Sequence, residues 1–334
     1  QQQMAPDFPY KYKKVHPFLH LPDEFHWLKS PIKRVCIMLG YLLVPLKLFI
    51  SALAMGLGGV FARLLDRTTD GRTQLSGFRK ILYHIIQSIF WRLNVYGQFL
   101  IVLQWNKKKL NKKARVIISN HQNMNDVCIH GFLHHPVYLA RSDMLNAYGV
   151  GQILRISRSF LVDKHKSNAD MLEALKEVAK TETIQIFPEG TISACHCVIR
   201  ARPGAFKLGQ LIQPVAIKYH TFMPMAWLCE SGFRHLIDLA SNLFGFVIYE
   251  YLDVIEGETP DQTCKRIADA MDVPYLPYTN SDYLWFSGKT DDKSKCTKEY
   301  LEDFGWMGQF QDYVQMCKAK KLNPRFYHSQ KQLG

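Results

Sequence analysis

A run of 28 residues, 35–62, reads VCIMLGYLLVPLKLFISALAMGLGGVFA and carries one charge, Lys47. As one helix rising about 1.5 Å per residue it exceeds a hydrocarbon core of roughly 30 Å, so it is long enough to span a bilayer. Pro45 and Lys47 sit in its middle, and Gly56, Gly58 and Gly59 weaken its second half. A proline there kinks a helix, and a lysine at mid-bilayer costs at least about 2.5 kcal/mol unless it snorkels. Lys29, Lys33 and Arg34 precede the run, and Arg63, Arg67, Arg72, Arg79 and Lys80 follow it, so charge gives no inside–outside bias. The expectation is a kinked hairpin within 35–62, entering from the cytosolic face, with a single span or a buried helix as the other readings. A cleavable signal peptide does not fit, because the run starts too late and lacks a small-residue cleavage site.

The next stretch, 78–103, places Ile81, Ile85, Ile86, Ile89, Phe90 and Leu93 at helical spacing. It reads as a helix that either packs on the domain or lies at the membrane surface. Net charge is +13, from 42 Lys and Arg against 29 Asp and Glu, which favours anionic partners. The basic clusters (Lys11, Lys13 and Lys14; Lys29, Lys33 and Arg34; Lys107–Lys109 with Lys112 and Lys113) stand beside apolar segments, as at a membrane surface and unlike a nucleic-acid groove. No zinc-finger spacing or aromatic RNA-binding motif is present, so nucleic acid is not expected as a partner. The 8 Cys form no C-x-x-C pair, and Cys195-His196-Cys197, adjacent ligands without a second pair, is weak evidence for a metal site. Free thiols and no metal are expected, in a domain facing a reducing compartment.

From residue 114 onward, short β-rich runs alternate with helical patterns. The strands are expected at 115–119, 137–140, 159–163, 183–187, 214–219 and 246–254. Helices are expected at 126–133, 167–180 (with Ser167 and Asp170 as its cap), 204–211, 226–243 and 261–271. Such alternation predicts an α/β domain with a mixed, largely parallel sheet and flanking helices, whose functional residues gather where strands end. At 334 residues there is room for one domain of about 200 residues and appendages. The expected division is a flexible N-terminal tail over 1–30, membrane-embedded and interfacial helices over 31–105, a catalytic domain over 106–272 and a C-terminal extension over 273–334. Residues 1–20 read as mobile, and 289–298 as a solvated loop.

Two motifs carry chemistry. Asn120-His121-Gln122-Asn123-Met124-Asn125-Asp126 holds a His and an Asp separated by four residues, and Phe187-Pro188-Glu189-Gly190-Thr191 follows an apolar strand. A strand-terminal His with a carboxylate nearby can act as an oriented general base. A Pro-Glu-Gly-Thr turn can bring backbone donors and a carboxylate to the same sheet edge. Gly190 permits close backbone approach and Thr191 can donate to an anionic oxygen.

These motifs, in this order and separation, resemble the H-x4-D and F-P-E-G-T motifs of the glycerophospholipid acyltransferase family. Arg202-Pro203-Gly204-Ala205-Phe206 and then Gln213-Pro214-Val215-Ala216 are similar to its lysophosphatidylcholine acyltransferase branch. The resemblance implies that His121 takes the proton from a lysophospholipid hydroxyl, which attacks the acyl-CoA thioester, while Asp126 orients the imidazole. It implies substrate-binding roles for Glu189, Gly190, Thr191 and Arg202. Arg141 matches a position where the family commonly has Lys, and Lys164, in SFLVDK, one where Arg is usual. It implies acyl-CoA as co-substrate with no bound cofactor, a lysophospholipid and membrane lipids as partners, and a membrane location, the endoplasmic reticulum, with the catalytic domain facing the cytosol.

Two departures stand out. Ile192 follows the FPEGT motif where many relatives have Arg, which argues against a phosphatidate-forming enzyme. The interior of H-x4-D is polar where relatives often place Ser and an aromatic, which bears on acceptor choice. Lysophosphatidylcholine-type acceptors are expected first; lysophosphatidate or glycerol-3-phosphate acyl transfer, or a non-catalytic membrane scaffold, are the alternatives.

Overall fold

The computed structural model describes residues 15–21, 30–65, 77–142, 145, 151, 154, 159–162, 168–228 and 230–333. Its centre is a seven-stranded sheet in the order β1-β8-β7-β2-β5-β3-β4. The strands are β1 (Leu100–Trp105), β2 (Val116–Ser119), β3 (Val137–Arg141), β4 (Phe160–Val162), β5 (Ile184–Ile186), β7 (Ile212–His220) and β8 (Gly245–Tyr251). Only β7 and β8 run antiparallel; the other neighbours are parallel. Two short strands, β6 (Val198–Ile199) and β9 (Tyr275–Leu276), pair outside the sheet. The mixed, largely parallel sheet is the one the alternating pattern predicts. Inside β2 and β7 the side chains alternate: Ile117, Val215 and Ile217 enter one core, and Val116, Ile118 and Ala216 enter the other.

Helices cover both faces. On the first lie α1 (Pro31–Leu65), α2 (Gly77–Gly97) and α3 (Met124–His134); on the second lie α4 (Asn168–Ala179) and, after α5 (Gly232–Ala240), α6 (Pro260–Met271). Gly131 lets α3 approach α2, since a Cβ there would lie 2.3 Å from the Trp91 ring. The helix expected at 204–211 is reduced to a single 3-10 turn, Ala205–Lys207, between Pro203 and Gly209, whose φ is +66°. The one expected at 226–243 contracts to α5, capped by Ser231 accepting from Arg234 N. Ser167 lies outside the described residues.

The apolar run differs from the expectation. No turn falls within 35–62; α1 continues through Pro45, and the arms of the hairpin are α1 and α2 packed on each other. Lys47 does not face lipid. It is fully buried, and its ammonium donates to the carbonyls of Gln98, Asn242 and Leu243. A mid-segment cation is thereby satisfied by protein backbone, which removes the reason for a break there. Among the described residues α1 is the helix long and apolar enough to cross a membrane. Its Met38, Leu42 and Phe49 are exposed, as are Phe78, Ile81, Ile85, Ile89 and Leu93 on one stripe of α2. That stripe leaves the outer face of α2 apolar and exposed, while Tyr83, Phe90, Trp91 and Val95 pack inward. Residues 98–103 of the stretch 78–103 are not helix: α2 ends at Gly97, Phe99 takes φ 58°, and β1 begins. Ile101, Leu103 and Trp105 then project from the sheet edge.

Residues 15–21 and the C-terminal stretch from 273 to 333 are more ordered than composition implies, while the rest of the expected tail, 1–14 and 22–29, lies outside the described residues. Residues 15–21 are buried; Phe18 and Leu19 enter a third core with α7 (Asn280–Phe286), α8 (Lys298–Phe304) and α9 (Phe310–Ala319). His16 bonds the Tyr300 hydroxyl at 3.0 Å and lies among Phe286, Phe304 and Tyr327. The mobile-tail reading therefore fails for this segment, because His16 bonds His196 and Tyr300, which lie 180 and 284 residues away in sequence. The stretch 289–298 is the solvated connection expected, with most of its side chains exposed. The chain closes with a short helix, α10 (Gln330–Leu333).

Candidate active site

In parallel register, Ile118 of β2 lies beside Ile186 of β5 and Pro214 of β7. The two central strands therefore release their chains at one edge, and the two motifs meet there. Asn120 secures the first exit by copying a strand pairing: its amide donates to Ile217 O at 3.0 Å and accepts from Ile217 N at 2.8 Å. His121 follows, with its side chain 17% exposed.

Asp126 sits in the first turn of α3 because Asn123 is the helix cap, accepting from Asn125 N at 2.7 Å. Asp126 Oδ2 accepts from Gln122 N at 2.6 Å, Asn123 N at 2.9 Å and His121 Nδ1 at 2.9 Å. Its other oxygen accepts from the Tyr219 hydroxyl at 2.6 Å. A carboxylate held by this many donors cannot rotate away. With Nδ1 donating to it, the Nε2 lone pair is left as the basic atom. The ring is clamped from its face as well: Phe187 stacks on it at 3.9 Å between centroids and 14° between planes. Behind Phe187, His130 bonds Ser119 and Tyr249 at 2.8 Å each, and burial next to His134 holds its pKa well below the ordinary value. His130 is therefore a neutral core residue and no second base. The polar interior of H-x4-D also has a local cause, since Gln122, Asn123 and Asn125 are all buried around the helix cap.

Glu189 is not placed to touch a substrate. It is fully buried, accepting from His121 N at 3.1 Å and from Ile199 N at 3.1 Å, so it ties the His-bearing loop to β6. Burial pushes its carboxyl up to about 7, against the pull of the Ile199 N–H. The folded-state value thus lies above the unfolded one. The group's contribution to stability is complete below about pH 4.5 and is lost as pH rises through about 7. Glu189→Gln is expected to flatten the fall in thermal midpoint between those pH values. It also turns an NH2 group toward a backbone N–H, which costs about 1–3 kcal/mol, and it lowers turnover by displacing His121. Melting curves against pH with parallel activity measurements check both; an unchanged pH slope would refute the role.

Gly190 turns with φ +71° and brings its backbone against Arg202. Arg202 N bonds Pro188 O at 2.7 Å, so the PGAF segment is laced to the FPEGT turn. Thr191 is partly exposed beside it. The structure thus gathers His121, Asp126, Glu189, Gly190, Thr191 and Arg202 at one edge. Arg141 closes β3, two strands from β2, but its side chain, like the whole of Lys164, lies outside the described residues. Among the described residues no three His, Cys, Asp or Glu side chains come together to hold a metal. Cys195-His196-Cys197 is instead a structural loop: His196 donates to His16 O at 3.2 Å, and Cys197 to Ala194 O. Sequence reasoning missed Tyr219, Asn120 and Asn280. Tyr219 had a signal, since it follows Val215 and Ile217 at a period of two on the face that meets α3.

Residues 102–218 match the family model described as Acyltransferase. The chain is similar to lysophospholipid acyltransferase LPCAT4 of Xenopus tropicalis, 25% identical over 291 residues that make up 78% of this chain and 53% of that protein. It is similar also to glycerol-3-phosphate acyltransferase 4 of Mus musculus, 26% identical over 58% of this chain and 41% of that one. It spans about half the length of the curated relatives it matches. Among solved structures, the 1-acyl-sn-glycerophosphate acyltransferase PlsC of Thermotoga maritima aligns with a TM-score of 0.48 and 18% identity, covering 70% of this chain and 94% of that one.

Proposed function

We propose that this chain, which belongs to the glycerophospholipid acyltransferase family and carries its acyltransferase domain at residues 102–218, transfers an acyl group from acyl-CoA to a lysophospholipid hydroxyl at a membrane surface. The observation that carries this reading is the His121–Asp126 pair at 2.9 Å, with Nε2 left available at the strand edge. Nε2 accepts the proton of the glycerol hydroxyl as its oxygen attacks the thioester carbon. The C–S bond then breaks, and the imidazolium returns the proton to the departing coenzyme A thiolate. Asp126 stabilises the imidazolium between the two steps. The acceptor oxygen is itself the nucleophile, so no covalent enzyme intermediate and no bound cofactor are needed.

The membrane placement rests on the apolar outer faces of α1 and α2, continued by Ile101, Leu103 and Trp105 of β1, with Lys107–Lys109 next in the chain. Lipid-soluble acceptors then reach the site from the bilayer. We assign the endoplasmic reticulum as the membrane, with the catalytic domain on the cytosolic side, and a lysophosphatidylcholine-type acceptor. Ile192 supports the acceptor assignment: its side chain packs in the third core, so the position after FPEGT offers no cation for a phosphate monoester. A panel of acceptors with purified protein tests this. Preference for lysophosphatidylcholine over lysophosphatidate and glycerol-3-phosphate is the expected result. Preference for glycerol-3-phosphate refutes the acceptor, and absence of coenzyme A release with every acceptor favours a non-catalytic scaffold.

A further inference from the structure

Arg202 is exposed at the active-site edge, and among the described residues no carboxylate pairs with it. Glu189, the nearest acid in sequence on the FPEGT turn, directs both oxygens inward to His121 N and Ile199 N. It does not neutralise the guanidinium. The fork is nonetheless held in place. Arg202 N bonds Pro188 O, and its side chain lies over Gly190, where an added Cβ would meet Nε at 3.0 Å. The remaining constraint comes from outside the acyltransferase domain. Asn280, the first residue of α7, is buried; its amide donates to Gly190 O at 2.6 Å and its carbonyl accepts from the Arg202 guanidinium at 2.7 Å. Reversing that amide would set an oxygen against the Gly190 carbonyl and an NH2 against the guanidinium, so the two bonds fix one orientation.

An exposed planar cation whose side chain, among the described residues, bonds only a neutral amide has donors left to receive a phosphate by a two-pronged contact. The position after FPEGT contributes Ile192, which packs away from the site, so no cation stands there to do this. We propose that Arg202 binds a substrate phosphate and that Asn280, supplied by the C-terminal helical layer, is its positioning residue. The phosphate belongs to the lysolipid headgroup or to coenzyme A. The substrates named here rest on the acyl-transfer reading.

Arg202→Gln and Asn280→Ala are compared with wild type in two ways. The first is turnover with lysophosphatidylcholine and with a monoacylglycerol, which lacks the phosphate, each at varied acyl-CoA. The second is calorimetric binding of a short-chain lysophosphatidylcholine and of coenzyme A, which needs no turnover. Arg202→Gln is expected to weaken one phosphate ligand about tenfold, visible in KM and in Kd, with kcat much less affected. Asn280→Ala is expected to shift the same ligand in the same direction by about threefold, with the ratio of lysophosphatidylcholine to monoacylglycerol use falling if the headgroup is the ligand. A shift confined to coenzyme A supports the cradle with that phosphate as its occupant. Equal losses for both acceptors with both Kd values unchanged, or a fall in kcat alone, overturn it as a structural effect. Wild-type binding without turnover would count against the acyl-transfer reading and leave the cradle supported if Arg202→Gln still weakens it.

Discussion

Replacing His121 with Ala is expected to lower the proposed acyl transfer by about 10²–10⁴-fold, the range a positioned general base supplies to a hydroxyl that is a poor nucleophile at neutral pH. The fold should survive the change. Asp126 keeps three of its donors, Gln122 N, Asn123 N and Tyr219 OH, so the helix cap persists without the imidazole. The His121 backbone N–H still meets Glu189, and its carbonyl still accepts from Ser193 N at 3.0 Å. What is lost locally is the stack on Phe187 and one bond to a side chain that was already partly open to solvent. The measurement is coenzyme A release at saturating acceptor, with membrane association and thermal midpoint recorded on the same preparation. Activity within tenfold of wild type, in a protein that still binds membranes, would sink the mechanism.

Asp126→Asn separates charge from geometry. An amide can place its oxygen where Oδ2 stood, keeping the bonds from Gln122 N, Asn123 N and His121 Nδ1. Its NH2 then faces Tyr219, whose hydroxyl can rotate to accept. The thermal midpoint is expected to stay within a few degrees, about the effect of less than 1 kcal/mol in a domain of this size. Turnover is expected to fall by about 10²–10⁴-fold, because the imidazolium formed during the reaction has lost its counterion. Asp126→Ala is the contrasting variant: it removes the carboxylate half of the capping box as well, leaving the Asn123 cap, and costs about a further 1–2 kcal/mol in stability. If the Asn variant were as active as wild type, Asp126 would be a capping residue alone.

How far the site was readable depended on where each residue's partners lie. His121 and Asp126 are joined within one loop and the first turn of a helix, so a spacing of five positions already carries their contact. The FPEGT turn could be set at the same edge because both motifs follow strands and parallel strands end together. Glu189, expected to help shape the acceptor or phosphate site, instead ties two backbone segments together. Its sequence neighbourhood resembles an exposed turn, and only the approach of β6 shows that the side chain points inward. Asn280 carried no signal at all. It lies 90 residues beyond Gly190, in a stretch whose mixed composition looks like an appendage, yet its amide completes the Arg202 setting. The burial of residues 15–21 was hidden for the same reason, since the aromatic pocket that takes Phe18 is built from the far end of the chain.

Local order and motif chemistry were properties of the sequence itself. The alternating sheet domain, the base with its carboxylate and the apolar segment before them all follow from short-range pattern, because side-chain periodicity and loop spacing act over a few residues. The tertiary structure alone decided which charges are available. Lys47, in the apolar segment, is consumed by three backbone carbonyls, and Glu189, in the motif, is consumed by two backbone N–H groups. Arg202 keeps its charge unpaired among the described residues because its side-chain partner is a neutral amide. Whether an ionisable group is spent on the fold or left for a ligand is settled by which polar atoms come within about 3 Å of it, and those atoms belong to distant parts of the chain.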